Sequence, residues 1–178
     1  MLLKKLVLAS LAALSLNAVA STQEFIINGT FHDNPNQSTQ VQTGWTVNSN
    51  AHYFNGNVYF EGAVNSTGSL SQTVLGAHGV AVLSFDFLAT SGYQSVVWDG
   101  VTLGTVNAPS PLTHYSYNVT ATGHDTLTFL GQNNPSYNRL SNVSLLATVG
   151  AVPEPETYGM LLAGLGMVGF MARRRKAA

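Results

Sequence analysis

The sequence predicts an all-β domain, a two-sheet β-sandwich, set between an apolar leader and an apolar tail. Three observations predict it. Apolar and polar side chains alternate with period two through the middle of the chain, as half-buried strands require. Turn residues recur between these runs at fairly regular spacing, the pattern of short strands in a sandwich. No amphipathic helix is legible between residues 22 and 150.

The elements follow in order. Met1-Leu2-Leu3-Lys4-Lys5 is a basic start, Leu6–Leu16 is apolar except for Ser10 and Ser15, and Asn17-Ala18-Val19-Ala20 follows. A basic start, a short apolar stretch and a small-x-small exit define a secretory signal peptide. Ala18 and Ala20 are the small residues, so signal peptidase is expected to remove residues 1–20 and leave Ser21 first. A buried N-terminal helix of a cytosolic domain leaves the lysines and the Ala-x-Ala exit unexplained.

The body, residues 21–150, reads as strands. Ala81, Leu83, Phe85, Phe87 and Ala89 share one face, with Ser84 and Asp86 on the other. Val143, Leu145, Ala147 and Val149 repeat the pattern, and Leu127 and Phe129 do so briefly. Val96-Val97-Trp98, Asp99-Gly100 and Val101-Thr102-Leu103 read as a hairpin, because Asp-Gly supplies the positive φ angles of a type I′ turn. Gly76–Gly79 and Asn107–Pro111 read as turns.

Charge narrows the partners. The body carries six acids (Glu24, Asp33, Glu61, Asp86, Asp99 and Asp125) against one base, Arg139, a net of −5. One arginine cannot neutralise a row of phosphates, so nucleic acid is excluded as a partner. There is no cysteine, so packing rather than disulfides must hold this exported domain.

The order of short motifs adds a resemblance. Asn28-Gly29-Thr30-Phe31 opens the body, and Gly44-Trp45-Thr46 follows. Gly68–Thr73 precedes the Gly79–Phe87 strand, and Leu127-Thr128-Phe129 and Leu140–Leu145 close the series. This series resembles galactose-binding-like jelly rolls, including carbohydrate-binding modules, over most of residues 25–149. The resemblance implies a jelly-roll β-sandwich. Its relatives often hold a structural calcium with acids after the opening Phe and in the last strand; here His32 and Ser141 stand there. Calcium needs several hard oxygen ligands, so the exchange argues against that site, with Asp33 and Glu24 left to compensate. No metal or other cofactor is expected.

The tail has three parts. Val152-Pro153-Glu154-Pro155-Glu156 is rigid and polar, Thr157–Ala172 is uncharged, and Arg173-Arg174-Arg175-Lys176 is a basic stop. The sixteen uncharged residues make a helix about 24 Å long, short for a hydrocarbon core of about 30 Å. Snorkelling arginines and a thinned bilayer close the gap, so a single transmembrane helix over 157–172 is expected. Basic residues mark the cytoplasmic side, which places the body outside. This arrangement of Pro153, Glu154, Pro155, helix and basic end closely resembles the PEP-CTERM sorting signal over residues 153–178, and the expected tail region is 151–178. The same segment is also catalogued as an ice-binding-protein C-terminal domain, but the body's threonines show no repeat that would build a flat ice-binding face. The resemblance implies processing by exosortase, transient anchoring in the inner membrane, and release or transfer to the surface of a Gram-negative cell that makes extracellular polysaccharide. Gly164–Gly169 also spells G-x-G-x-x-G, but the chain ends nine residues later, without the helix and acid a dinucleotide site needs.

Catalytic chemistry finds little support, and no catalytic residue is assigned. The five histidines form neither H-x-H nor H-E-x-x-H, and there is no G-x-S-x-G elbow. Binding is better supplied, since sugar rings stack their CH-rich faces on aromatic side chains. The body offers ten such side chains or more, among them Trp45, Tyr53, Phe54, Tyr59 and Trp98. The tryptophans read equally as core. Tyr93, Tyr115 and Tyr137, near strand ends, are the candidate ligand-binding residues. Three functions compete: a non-catalytic surface or matrix protein associating with exopolysaccharide, a carbohydrate-binding module with a defined sugar site, and a small secreted hydrolase.

Overall fold

A computed structural model describes residues 20–32, 42–48, 50–60, 67–133, 136–149 and 155–176. The leader through residue 19 with Ala18, and Asp33, Glu61, Pro153 and Glu154, lie outside the described residues. The chain divides into two compact units, and the body, Thr22–Val149, is one of them.

Nine strands are described: β1 (Ser21–Glu24), β2 (Thr46–Val47), β3 (Ala51–Phe54), β4 (Asn57–Phe60), β5 (Gly68–Ala89), β6 (Tyr93–Trp98), β7 (Val101–Asn107), β8 (Ser110–Gln132) and β9 (Asn138–Val149). β5 and β8 pair as one antiparallel ladder from Gly68↔Gly131 to Ala89↔Ser110. Between Leu70 and Phe85 a straight β5 would advance about 50 Å. Yet Phe129, opposite Leu70, meets Phe85 with ring centroids 5.0 Å apart. The ladder is therefore folded back on itself, and its two halves face each other across the core. One layer is β2, the first half of β5, the second half of β8, β6 and β7; the other is β3, β4, β9, the second half of β5 and the first half of β8. β1 also pairs with β9.

The fold-back corrects one expectation. Gly76–Gly79 is not a turn between strands but an irregularity within β5, where the register shifts between Leu75 and His78. Gly76 and Gly79 both take φ of +78°, a region glycine enters without a Cβ clash, and such irregularities bend strands. Opposite them, the buried Asp125 carboxylate accepts hydrogen bonds from the Thr122 and Gly123 amides and the Thr122 hydroxyl, at 2.9–3.2 Å. The central strands are also longer than the short strands expected, because β5 and β8 run 22 and 23 residues through the bend.

Elsewhere the period-two reading matches. Ala81, Leu83, Phe85, Phe87 and Ala89 are all buried, as are Val143, Leu145, Ala147, Leu127 and Phe129. Asp99 and Gly100 have φ of 48° and 79° and close the β6–β7 hairpin at Trp98↔Val101. Both tryptophans are core residues, and their indole N–H groups donate to the carbonyls of Asn28 and Thr120 at 3.2 Å. A Cβ on Gly29 would lie 1.8 Å from the Val143 carbonyl oxygen, so the opening Asn-Gly is a packing requirement.

The second unit contributes helix α1 (Pro155–Lys176). Pro155 occupies the first helical position, where its missing N–H costs nothing. Glu156 falls in the first turn and the Arg173–Lys176 cluster in the last. The helix overruns the expected 157–172 at both ends and is about 33 Å long. Its uncharged stretch is still sixteen residues, and among the described residues no helix is long and apolar enough to cross a membrane.

Candidate functional site

Strand register builds one outward-facing aromatic group. Along β3 and β4, Ala51, Tyr53, Val58 and Phe60 point into the core. The alternate residues His52, Phe54 and Tyr59 must face the other way. The Asn55-Gly56 turn, with φ of 47° and 72°, fixes the hairpin so that His52 stands opposite Tyr59. Tyr59 in turn stands opposite Arg139 of β9, and Arg139 opposite Leu88 of β5. Directly opposite and diagonal neighbours on one face are close enough for rings to touch. The contacts follow: Tyr59 stacks on His52 at 5.5 Å, tilts against Phe54 at 6.5 Å and meets Tyr137 edge-on at 5.1 Å. Phe54 is 58% exposed and Tyr137 46%. Tyr59 is the hub, and the strip runs across β3 and β4 to Tyr137, the residue before β9.

Tyr137 is held by a buried amide network. The Thr90 hydroxyl donates to the Tyr137 carbonyl at 2.6 Å, and the Thr90 amide donates to Asn138 Oδ1 at 3.0 Å. Asn133 Nδ2 donates to Asn138 Oδ1 at 2.7 Å and to the Thr90 hydroxyl at 2.9 Å, and the Ser91 hydroxyl bonds Asn133 Oδ1. Asn133 and Asn138 are fully buried. A satisfied buried network of this kind fixes geometry, so Tyr137 is presented on a rigid support.

The other two tyrosines named from sequence lie elsewhere. Tyr115 is on the core side of β8 and stacks on the buried Phe85 at 5.7 Å, beside Tyr117. Its half-burial against the core makes it a packing residue. Tyr93 begins β6, and its carbonyl accepts from Asn138 Nδ2 at 3.3 Å, so its backbone joins the network beneath Tyr137. Among the described residues no ring contact links Tyr93 or Tyr115 to the strip. Composition counts Phe54 and Tyr59 among the aromatic side chains of the body but does not set them, or His52, apart as a site. The signal was present in Asn55-Gly56, the strongest short hairpin cue, which sets the strands on either side in register.

The described acids of the body are all engaged. Glu24 accepts the amides of Phe25, Ile26 and Leu145 at 2.8–3.0 Å and bonds the Ser144 hydroxyl. It borders a cavity of about 420 Å³ beside the β5 bend, but its oxygens are committed to these donors. Asp86 accepts from Asn142 Nδ2 and pairs with His114 Nδ1, both at 2.7 Å. Burial raises its carboxyl pKa, but these two partners outweigh that and hold it below the usual range. Asp99 accepts the Thr126 amide at 2.6 Å. At Asp125 burial again raises the pKa, and the bonds from Thr122, then the neighbouring Asp99 and the Gly123 amide, bring it below the usual range. Asp99 and Asp125 do adjoin, yet Asp125 is fully buried and bonded, whereas glycosidic acids face each other across an open cleft roughly 5–9.5 Å wide. His32, in the place of a calcium-binding acid, has Nδ1 2.7 Å from the Thr30 carbonyl, and Ser141 is buried. Among the described residues no three His, Asp or Glu side chains gather where they could hold a metal.

Comparison with known proteins adds two findings. Residues 151–176 match the PEP-CTERM protein-sorting motif. The body is similar to carbohydrate-binding β-sandwiches: a CBM4 domain superposes with a TM-score of 0.53 at 17% identity, over 70% of this chain and 99% of that one. The enzymatically active domain of tailspike protein 4 from bacteriophage CBA120 superposes at 0.50 and 12% identity, over 71% of this chain. This chain spans 21% of that protein's length. A family 29 carbohydrate-binding module superposes at 0.48 and 15% identity, over 74% of this chain and 94% of that one. The likenesses to the CBM4 domain and the tailspike domain show the fold. No curated protein matches the chain by sequence.

Proposed function

We propose that this chain is an exported, non-catalytic surface protein that binds polysaccharide through the Tyr59 strip and is sorted through its tail. Four outward rings, His52, Phe54, Tyr59 and Tyr137, carry the binding half of this reading. An aromatic strip on the solvent face contributes little to a core and offers a stacking surface for sugar rings. A fold like that of the CBM4 domain is consistent with that use, since a site built on strands is held more rigidly than one on loops.

The sorting half rests on the tail. Signal peptidase releases the body at Ala20–Ser21, and exosortase cuts near Pro153–Pro155 while α1 rests in the inner membrane. In α1 the large apolar residues Met160, Leu161, Leu162, Leu165, Met167, Val168 and Phe170 are exposed, and at about 100° per residue they fall on every side of the helix. A helix apolar all round belongs in a core or a bilayer. The body then reaches the surface or the extracellular space. Commitment of the described acids to structural bonds disfavours the hydrolase alternative, and the body folds without calcium.

A glycan array on the full chain tests the binding half. Wild-type protein is expected to retain a subset of glycans, and Tyr59→Ala to lose them; no retained glycan at all overturns it. Cell fractionation with and without exosortase tests the other half: the uncut tail should accumulate in the inner membrane when the protease is missing.

A further inference from the structure

Resting on the strip as the glycan site, we infer that its ligand is an acidic polysaccharide and that Arg139 is the residue that selects the carboxylate. Arg139 is the only lysine or arginine in a body with six acids. It stands between Tyr59 and Leu88 in the outward row, so its side chain leaves the sheet on the same face as Tyr59. Among the described residues it forms no ion pair, and its Nε is buried without a hydrogen-bond partner. The described acids that could neutralise it are taken: Glu24 by three amides, Asp86 by His114 and Asn142, Asp99 by Thr126, Asp125 by Thr122 and Gly123.

A half-buried guanidinium with no ion-pair partner among the described residues is matched in shape and charge by a carboxylate, which it grips with two parallel N–H donors. A pyranose lying on Tyr59 and Tyr137 brings a ring carboxylate to the neighbouring position, because cross-strand Cβ atoms stand about 4.5–5.5 Å apart. The flanking rings and Leu88 lower the local dielectric and strengthen that contact. The rest of the body, with its excess of acids, repels polyanions. A uronate-bearing glycan is therefore held at this point and not smeared over the surface, which sets its orientation as well as its identity.

The test uses the full-length chain and oligosaccharides of alginate, polygalacturonate and hyaluronan, each beside its own carboxyl-reduced, neutral counterpart. Titration calorimetry reads the affinity, and melting temperature confirms that each variant is folded. We expect at least one acidic member to bind roughly tenfold tighter than its reduced partner. Arg139→Gln should erase that ratio, Arg139→Lys should keep part of it, and Tyr59→Ala should weaken both forms together. Equal binding of every acidic and reduced pair, or a preference that survives Arg139→Gln, overturns the carboxylate assignment while leaving the strip intact. Unchanged binding in Tyr59→Ala, or no glycan bound at all, overturns the strip and this inference with it.

Discussion

Tyr53 and Tyr59 sit on neighbouring strands of one hairpin and meet opposite fates. Tyr53 is 1% exposed, packs on Phe31 at 5.9 Å, and burial pushes its hydroxyl pKa well above the ordinary tyrosine value. Tyr59 lies on the outer face and gathers three more rings around it. The inner face of β3, β4 and β9 is thus spent on stability and the outer face on presentation, though both are built from similar side chains. Aromatic content alone does not separate core from site here; strand parity does.

The largest break in this comparison comes from the inner face. Phe60→Ala removes a fully buried ring and should cost about 3–5 kcal/mol, lowering the melting temperature by roughly 10 °C or more. Denaturant unfolding checks it. At the β5 bend, Asp125→Ala removes the buried acceptor of the part-buried Thr122 and Gly123 amide bonds and should cost about 1–3 kcal/mol, read in the same way.

Acid sharpens that second point. The folded Asp125 and Asp86 carboxyls titrate below their unfolded range. Their stabilisation is therefore complete above the unfolded carboxylate value, near pH 4, and is lost as pH falls through the lowered folded values. Melting temperature should hold level from pH 7 to 5 and fall below about pH 4, with a shallower fall in Asp125→Ala. On the outer face, Tyr59→Ala should cost less than about 1 kcal/mol. The smallest effect is expected from calcium: with Glu24 committed to amides and a hydroxyl, adding calcium or a chelator should leave the melting temperature unchanged.

Much of this fold is legible locally. The alternation of Ala81–Ala89 and Val143–Ala147, and the Asp99-Gly100 turn, are properties of adjacent residues, and the structure has them. The β5 bend is not legible in the same way. Two glycines flanking Ala77 and His78 fit a chain reversal as well as a strand irregularity, and only the pairing with β8 decides. The site was legible in part for a related reason. Tyr137 stands out near a strand end, but its ring partner Tyr59 belongs to β4, which reaches β9 only through the sheet order. Tyr115 has the same local surroundings as an exposed residue, and the ladder places it on Phe85 instead. Arg139 was counted in the charge balance, but its place opposite Tyr59 is a tertiary fact.

The division of labour between the two faces is tested most directly by measuring glycan affinity and melting temperature together on Tyr59→Ala and Phe60→Ala, neighbours in one strand. Tyr59→Ala should melt within a few degrees of the parent, about 1 kcal/mol or less of lost stability, and lose glycan binding. Phe60→Ala should melt far lower yet bind normally at a temperature where it is folded. Normal glycan binding by Tyr59→Ala would contradict the account.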